Sequence, residues 1–161
     1  MSLVAQRLQA LGLVLPPPLQ APGGMVFPFQ SVRLVGTRAL ISGHGPQNAD
    51  GSLVKTLGKV GREVTQDEGY AAARLTALSI LASLQRALGD LDRITAWTRL
   101  FGMVNSAPGF QRQPAVINGC SDLILQLFGP EVGAHSRSAV GMAELPFNIP
   151  VEIEGEVEFR S

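Results

Sequence analysis

The run "VEIEGEVEF" at residues 151–159 limits the possible folds more than any other stretch of this chain. Val151, Ile153, Val157 and Phe159 fall at alternate positions, and Glu152, Glu154, Glu156 and Glu158 fill the places between. Side chains of a strand alternate with a period of two, so this run is a strand with one apolar face and one row of carboxylates. In a helix the two sets would mix around the cylinder. The chain must therefore build a sheet with one face buried, and the glutamates read first as a solvated row on the other face.

The cover for the buried face is legible at residues 65–89, "TQDEGYAAARLTALSILASLQRALG". Thr65 and Glu68 have the spacing of a capping box. Ala73, Ala77, Ile80, Leu84 and Leu88 form one apolar stripe, and Gly89 is a natural stop. A second helix is expected over 112–128, with Val116, Cys120, Leu123 and Leu127 at helical spacing and Gly129-Pro130 ending it. Two strands are expected between Met25 and Gly43, joined by a turn at Gly36-Thr37, with "HGPQNADG" as the loop that follows. Residues 93–104 read as a strand with Ile94, Ala96, Thr98 and Leu100 on one side. Two more strands flank "ELPFN". A short amphipathic helix over 2–11, carrying Val4, Leu8 and Leu11, is set off by the stiff "PPPLQAPGG" at 16–24. These readings divide the chain into an N-terminal helix and linker, 1–24, and a domain, 25–161. The fold class is α+β: a mostly antiparallel sheet with two helices packed on one face, plus the extra N-terminal helix.

Nothing left in the chain covers the second sheet face. Charged residues make up 16% of the 161, against about 25% in an ordinary soluble domain. Both facts point to self-association, in which copies of the chain cover surface that charge does not. The net charge is zero and no basic run occurs, so a nucleic-acid partner is not expected. The first residues are interrupted by Gln6, Arg7 and Gln9, which makes a poor signal core and too short a span for a bilayer. The one cysteine, Cys120, allows no internal disulfide, which suits a reducing cytoplasm.

Most candidate chemistry in the sequence is weak. His44, His135 and Cys120 lack ligand spacing, so they read as two unrelated loop histidines and a core thiol, with no metal. "GHGPQNADG" is neither a dinucleotide fingerprint nor a phosphate loop. Ser42 lies two residues from His44 but has no acid to complete a hydrolase triad. Arg137 is different. It stands between Ser136 and Ser138 at the mouth of an apolar strand and has no acidic partner at i±2 on that strand. Either a remote glutamate pairs with it, or its planar fork waits for a ligand carboxylate.

"LISGHGP", the capped helix, "RITAWTRLFGMVN" and "RSAVGMAELPFNIPVEIE" occur in an order and spacing that resembles the RidA/YjgF family, also called the L-PSP endoribonuclease or reactive-intermediate deaminase family. The likeness runs from about Met25 to Phe159, and its most specific part is R-S-x-V-x-x-x-x-L-P followed by V-E-I-E. The resemblance implies a chorismate-mutase-like fold and a homotrimer with ligand clefts between neighbouring subunits. By the same resemblance, Arg137 grips a substrate carboxylate, Glu152 activates water, and the backbone N–H of Gly43, beside Ser42, meets the ligand. Asn118 matches the family's asparagine. Phe29 stands where deaminating members usually have tyrosine, Ala139 where many have cysteine, and His44 replaces the common glutamine. "HSRS" stands in place of "PARS". These departures mark a divergent branch.

The resemblance implies a hydrolytic deaminase that converts 2-imino acids, formed by tautomerisation of enamines, to 2-keto acids and ammonia without a cofactor. A trimer that binds small keto carboxylates without turnover is the alternative, favoured by the missing tyrosine hydroxyl and thiol. A ribonuclease or translation inhibitor comes third, because the sequence lacks basic character.

Overall fold

A computed structural model of the chain describes residues 2–160. Five strands form one sheet: β1 (Val32–Val35), β2 (Arg38–His44), β3 (Ile94–Asn105), β4 (Ser136–Met142) and β5 (Val151–Phe159). Their order is β1-β2-β5-β3-β4. Every neighbouring pair is antiparallel except β3 and β4, which run parallel. The α+β class is as read from the sequence, and the alternating run becomes β5, the central strand. Val151, Ile153 and Val157 are fully buried.

Helices α1 (Leu3–Ala10), α2 (Gln66–Leu88) and α3 (Gln113–Val132) complete the fold. The capping box of α2 forms in full: the Thr65 hydroxyl accepts the Glu68 N–H, and the Glu68 carboxylate accepts the Thr65 N–H. Each member of the Ala73–Leu88 stripe is buried, and Gly89 caps the helix at φ +81°. In α3, Val116, Cys120, Leu123 and Leu127 are fully buried. Gly129 breaks its helical geometry as expected, but a further turn runs on to Val132. Both long helices pack on one face of the sheet. The opposite face carries the glutamate row with Phe101, Met103 and Val140, and no helix or strand among the described residues lies over it.

Three expectations change. Residues 25–31 are not strand, and β1 begins only at Val32; the two-residue turn at Gly36-Thr37 stands, since Val35 pairs with Arg38. In β3 the register against β5 shifts between Ile94 and Ala96 and again between Trp97 and Arg99. These bulges turn Ala96 and Thr98 away and bury Ile94, Trp97, Leu100 and Val104 instead. In the N-terminal helix Val4 and Leu8 join the common core, but Leu11 is 37% exposed. The helix is held by two N–H bonds to the Asp92 carboxylate and by Arg7 donating to the Leu127 carbonyl. No helix among the described residues is long and apolar enough to cross a membrane.

Candidate functional site

Of the residues singled out in the sequence, Phe29, Gly43, His44 and Glu152 line one cleft and Asn118, His135 and Arg137 another, while Ser42 and Ala139 line neither. The first, of about 350 Å³, is lined by Gly43, His44, Glu152, Phe29, Phe27 and Phe147, among others. Glu152 belongs to the solvent-facing row of β5, and its carboxylate lies directly against Gly43: a Cβ built on Gly43 would sit 2.0 Å from Glu152 Oε1. Only glycine leaves room for the carboxylate there. β2 makes this approach possible through an irregularity, because Ser42 and Gly43 together face the single residue Glu154 between the paired positions Ile41–Gly155 and His44–Ile153. Burial pushes the Glu152 carboxyl above the usual carboxylate range, and the charge of Glu154 adds to the shift.

The Ser42–Gly43 peptide is held from behind. His44 Nδ1–H donates to the Ser42 carbonyl at 2.6 Å, and in a trans peptide the Gly43 N–H points the opposite way. His44 Nε2 accepts from the Ser83 hydroxyl at 2.9 Å, and Ser83 Oγ accepts from Arg86 Nη2 at 2.9 Å. This chain fixes the imidazole tautomer and polarises the peptide that joins Ser42 to Gly43, a residue of the cleft lining. Burial lowers the His44 pKa, the Ser42 carbonyl bond opposes that, and the Arg86 charge lowers it further. His44 is thus a buried residue ending β2, not a loop histidine. Ser42 does not pair with it through the hydroxyl, which donates to the Gln30 carbonyl at 2.7 Å; this geometry excludes Ser42 as a nucleophile activated by His44.

The second cleft, of about 450 Å³, is lined by Asn118, Ser121, Asp122, Leu125, His135 and Arg137, among others. Arg137 Nη1 donates to Asn118 Oδ1 (2.9 Å) and Ser121 Oγ (3.0 Å), and Nη2 donates to the Pro114 carbonyl (3.3 Å). Among the described residues no carboxylate makes an ion pair with Arg137. Asp122 shares the cleft but accepts from the Tyr70 hydroxyl at 2.8 Å. The remaining N–H donors of Arg137, Nε–H among them, have no partner among the described residues. Of the two readings open for Arg137, the remote glutamate is not found. His135 Nδ1–H donates to the Gly133 carbonyl, and its Nε2 lies 2.9 Å from Ser121 Oγ, so it buttresses Ser121 beside Arg137. Ala139 follows Arg137 on the same face and packs against the core.

Arg137 and Glu152 are not brought together within one chain. Arg137 stands opposite Leu100 in the parallel ladder, and Leu100 is fully buried under the helices. Glu152 lies between Val151 and Ile153, both fully buried on that helix side, so its own side chain emerges on the open face. Cys120 has no exposure, and burial pushes its thiol up to about 12, so it is a core residue. No His/Cys/Asp/Glu cluster among the described residues could hold a metal ion. Sequence reasoning missed Phe27 and Phe147 as cleft residues and Ser83 and Arg86 as the support of His44. The last two lie one helical turn apart on α2, but nothing local links them to β2.

Comparison with known proteins agrees with the fold. The profile of the family described as "YjgF/chorismate_mutase-like, putative endoribonuclease" matches residues 5–153. Protein TCP17 of Trypanosoma cruzi is 43% identical over 158 residues, covering 98% of this chain and 95% of that protein. A crystal structure of a protein of unknown function from Agrobacterium tumefaciens is similar with a TM-score of 0.86 and 38% identity, over 98% of this chain and 94% of that one. A "putative endoribonuclease" from Shewanella oneidensis has a TM-score of 0.88 and 34% identity, over 98% and 100%. A single sheet with its helices on one face and a family match over nearly the whole length lead to one conclusion: this chain belongs to the YjgF/chorismate-mutase-like family.

Proposed function

We propose that this protein is a hydrolytic deaminase of 2-imino acids whose site is completed between neighbouring copies in a homotrimer. The observation that carries the reading is Arg137. Its guanidinium is steadied by three neutral oxygens, faces a cleft, and keeps N–H donors free. A planar cation left in this state is matched by a ligand carboxylate. Glu152, with its raised pKa, lies in the other cleft beside the Gly43 amide. Because the two groups emerge on opposite faces of one sheet, a single substrate meets both only if a second copy supplies one of them. The uncovered sheet face gives that copy a surface to cover.

In this reading Arg137 holds the carboxylate and the Gly43 N–H binds the polar end of the acid. Glu152 takes a proton from water as the water oxygen bonds to the imine carbon. Glu152 returns that proton to nitrogen as the C=N electron pair moves onto it, which gives the carbinolamine. Glu152 then relays the hydroxyl proton to nitrogen while the C=O bond forms and the C–N bond breaks, and ammonia leaves the 2-keto acid. A free imine already hydrolyses in water, so positioning supplies much of the gain. Phe29 and Ala139, which lack a hydroxyl and a thiol, favour a second reading in which the trimer binds keto acids without turnover.

Complementation tests the proposal. A dehydratase generates 2-aminoacrylate in situ, and imine decay is followed with and without the protein. Arg137→Ala and Glu152→Gln are each expected to remove most of the acceleration. Co-expressed, the two variants restore it to about one cleft in four, by random assortment in a closed ring. Acceleration by neither wild type nor the mixture removes the enzyme and leaves the binding reading. Acceleration by wild type without complementation removes the shared site.

A further inference from the structure

We infer that the cleft beside Glu152 is built for a large apolar side chain, so that the acid taken by this protein carries an aryl or similarly bulky group rather than a methyl. The inference rests on the carboxylate reading above and names its substrate class. Besides the polar end formed by Gly43 and Glu152, the cleft is lined by Phe27, Phe29, Phe147 and Ile149, among others. Phe27 and Phe29 hold their rings 5.4 Å apart. A cleft of about 350 Å³ lies within the usual size of small-molecule pockets, which are mostly apolar with a few placed polar groups. An acid ending in a methyl group would leave most of this wall against water and forfeit its dispersion contacts.

Phe147 is the strongest sign that the wall is made on purpose. Its backbone is left-handed, φ +56°, and Asn148 follows at φ +58°. A bulky residue in that region is an outlier that persists only where its surroundings hold it. Here they do. The Asn148 carbonyl accepts the Gly58 N–H at 2.8 Å, and the Asn148 N–H donates to the Leu145 carbonyl. Asn105, 1% exposed, donates to Asn148 Oδ1 and to the Ile149 carbonyl. Lys59 Nζ in turn donates to Asn105 Oδ1 at 2.9 Å and to the Ala143 carbonyl. Phe147 takes no part in the hydrophobic core. Glycine would adopt this backbone without strain, so what phenylalanine adds at 147 is the ring it presents to the cleft.

Titration calorimetry with pyruvate and phenylpyruvate tests this on wild type, Phe147→Gly, Phe147→Leu and Arg137→Ala, with the melting temperature and mass of each variant recorded. Phenylpyruvate should bind wild type about tenfold more tightly than pyruvate or better, the scale on which apolar pockets discriminate. Phe147→Gly should keep or raise the melting temperature and remove most of the preference by weakening phenylpyruvate far more than pyruvate, while Phe147→Leu keeps part of it. Arg137→Ala should weaken both acids by the same factor. Equal affinity of wild type for the two acids overturns the inference, as does a preference that survives Phe147→Gly. A change of oligomeric mass in Phe147→Gly also overturns it, since the ring would then seal subunits rather than hold ligand. In these three cases an equal loss of both acids in Arg137→Ala leaves the carboxylate reading standing. Binding of neither acid removes that reading and this inference with it.

Discussion

Adding one methyl group at Gly43 should separate catalysis from stability. Its backbone is not in the left-handed region, so alanine fits the chain. The new Cβ would lie 2.0 Å from Glu152 Oε1 and 3.0 Å from Cδ. A carbon and an oxygen approach to about 3.3–3.6 Å, so the carboxylate must retreat by about 1.3 Å or more. The group that yields is the free end of a side chain, and an off-rotamer shift costs about 0.5–1.5 kcal/mol. At about 2–4 °C per kcal/mol for a chain of this size, the melting temperature should fall by no more than about 6 °C. Catalysis should suffer far more, since a misplacement of about 1 Å costs about 10²-fold, or about 2.7 kcal/mol of transition-state stabilisation. The imine-decay assay should therefore show Gly43→Ala down about 10²-fold. Glu152→Gln should be down about 10²–10⁴-fold. The double variant should be hardly worse than Glu152→Gln alone, because the methyl group acts only through that carboxylate. Carbon NMR of the Glu152 carboxyl gives a readout independent of turnover: pushed toward water, its pKa should drop toward the ordinary value. Losses that multiply in the double variant, or an unchanged Glu152 titration in Gly43→Ala, would refute the reasoning.

Arg137→Ala should weaken small-carboxylate binding by about tenfold or more, the worth of a charged hydrogen bond. Arg137→Lys should restore only part of it, and the fold should survive because no buried carboxylate is left without a partner; calorimetry and thermal melts check each point. Glu152→Gln should raise the melting temperature at pH 7. The folded pKa of Glu152 lies above its unfolded value of about 4.3, so its stabilisation is complete below that value and lost as pH rises through the folded pKa; melts at pH 4 and pH 7 should show the gap opening with pH. For His44 the folded pKa is depressed, so its contribution is present above about pH 6.5 and is lost as pH falls through the folded pKa. Replacing His44 with Gln should flatten the acid limb of stability between pH 7 and 5, and an unaltered limb would remove His44 from that role.

The local elements were legible because their causes are local. The alternation of β5, the Thr65–Glu68 capping box, the Gly89 stop and the Gly36-Thr37 turn each depend on residues a few positions apart, and each formed where its chemistry placed it. The half-covered sheet followed from β5 and the number of helices left to cover it. Where pairing between distant strands decided the outcome, the reading failed. The bulges of β3 are imposed by β5, about sixty residues away, and they exchanged Ala96 and Thr98 for Trp97 in the core.

The candidate site divides in the same way. Arg137 stood out in the sequence because charge without a neighbouring counter-charge is visible from composition along one strand. That its neighbours would be Asn118 and Ser121 depended on how α3 lies across β4. The contact of Glu152 with Gly43 depended on a bulge in β2, and the left-handed turn at Phe147 depended on Asn105 and Lys59 from other parts of the chain. Amino-acid order alone determined which residues carry charge, which faces are apolar and where helices start and stop. Tertiary structure alone decided that Arg137 and Glu152 emerge on opposite faces, because the side of a sheet on which a residue emerges is set by strand register, and register is a property of pairs of strands.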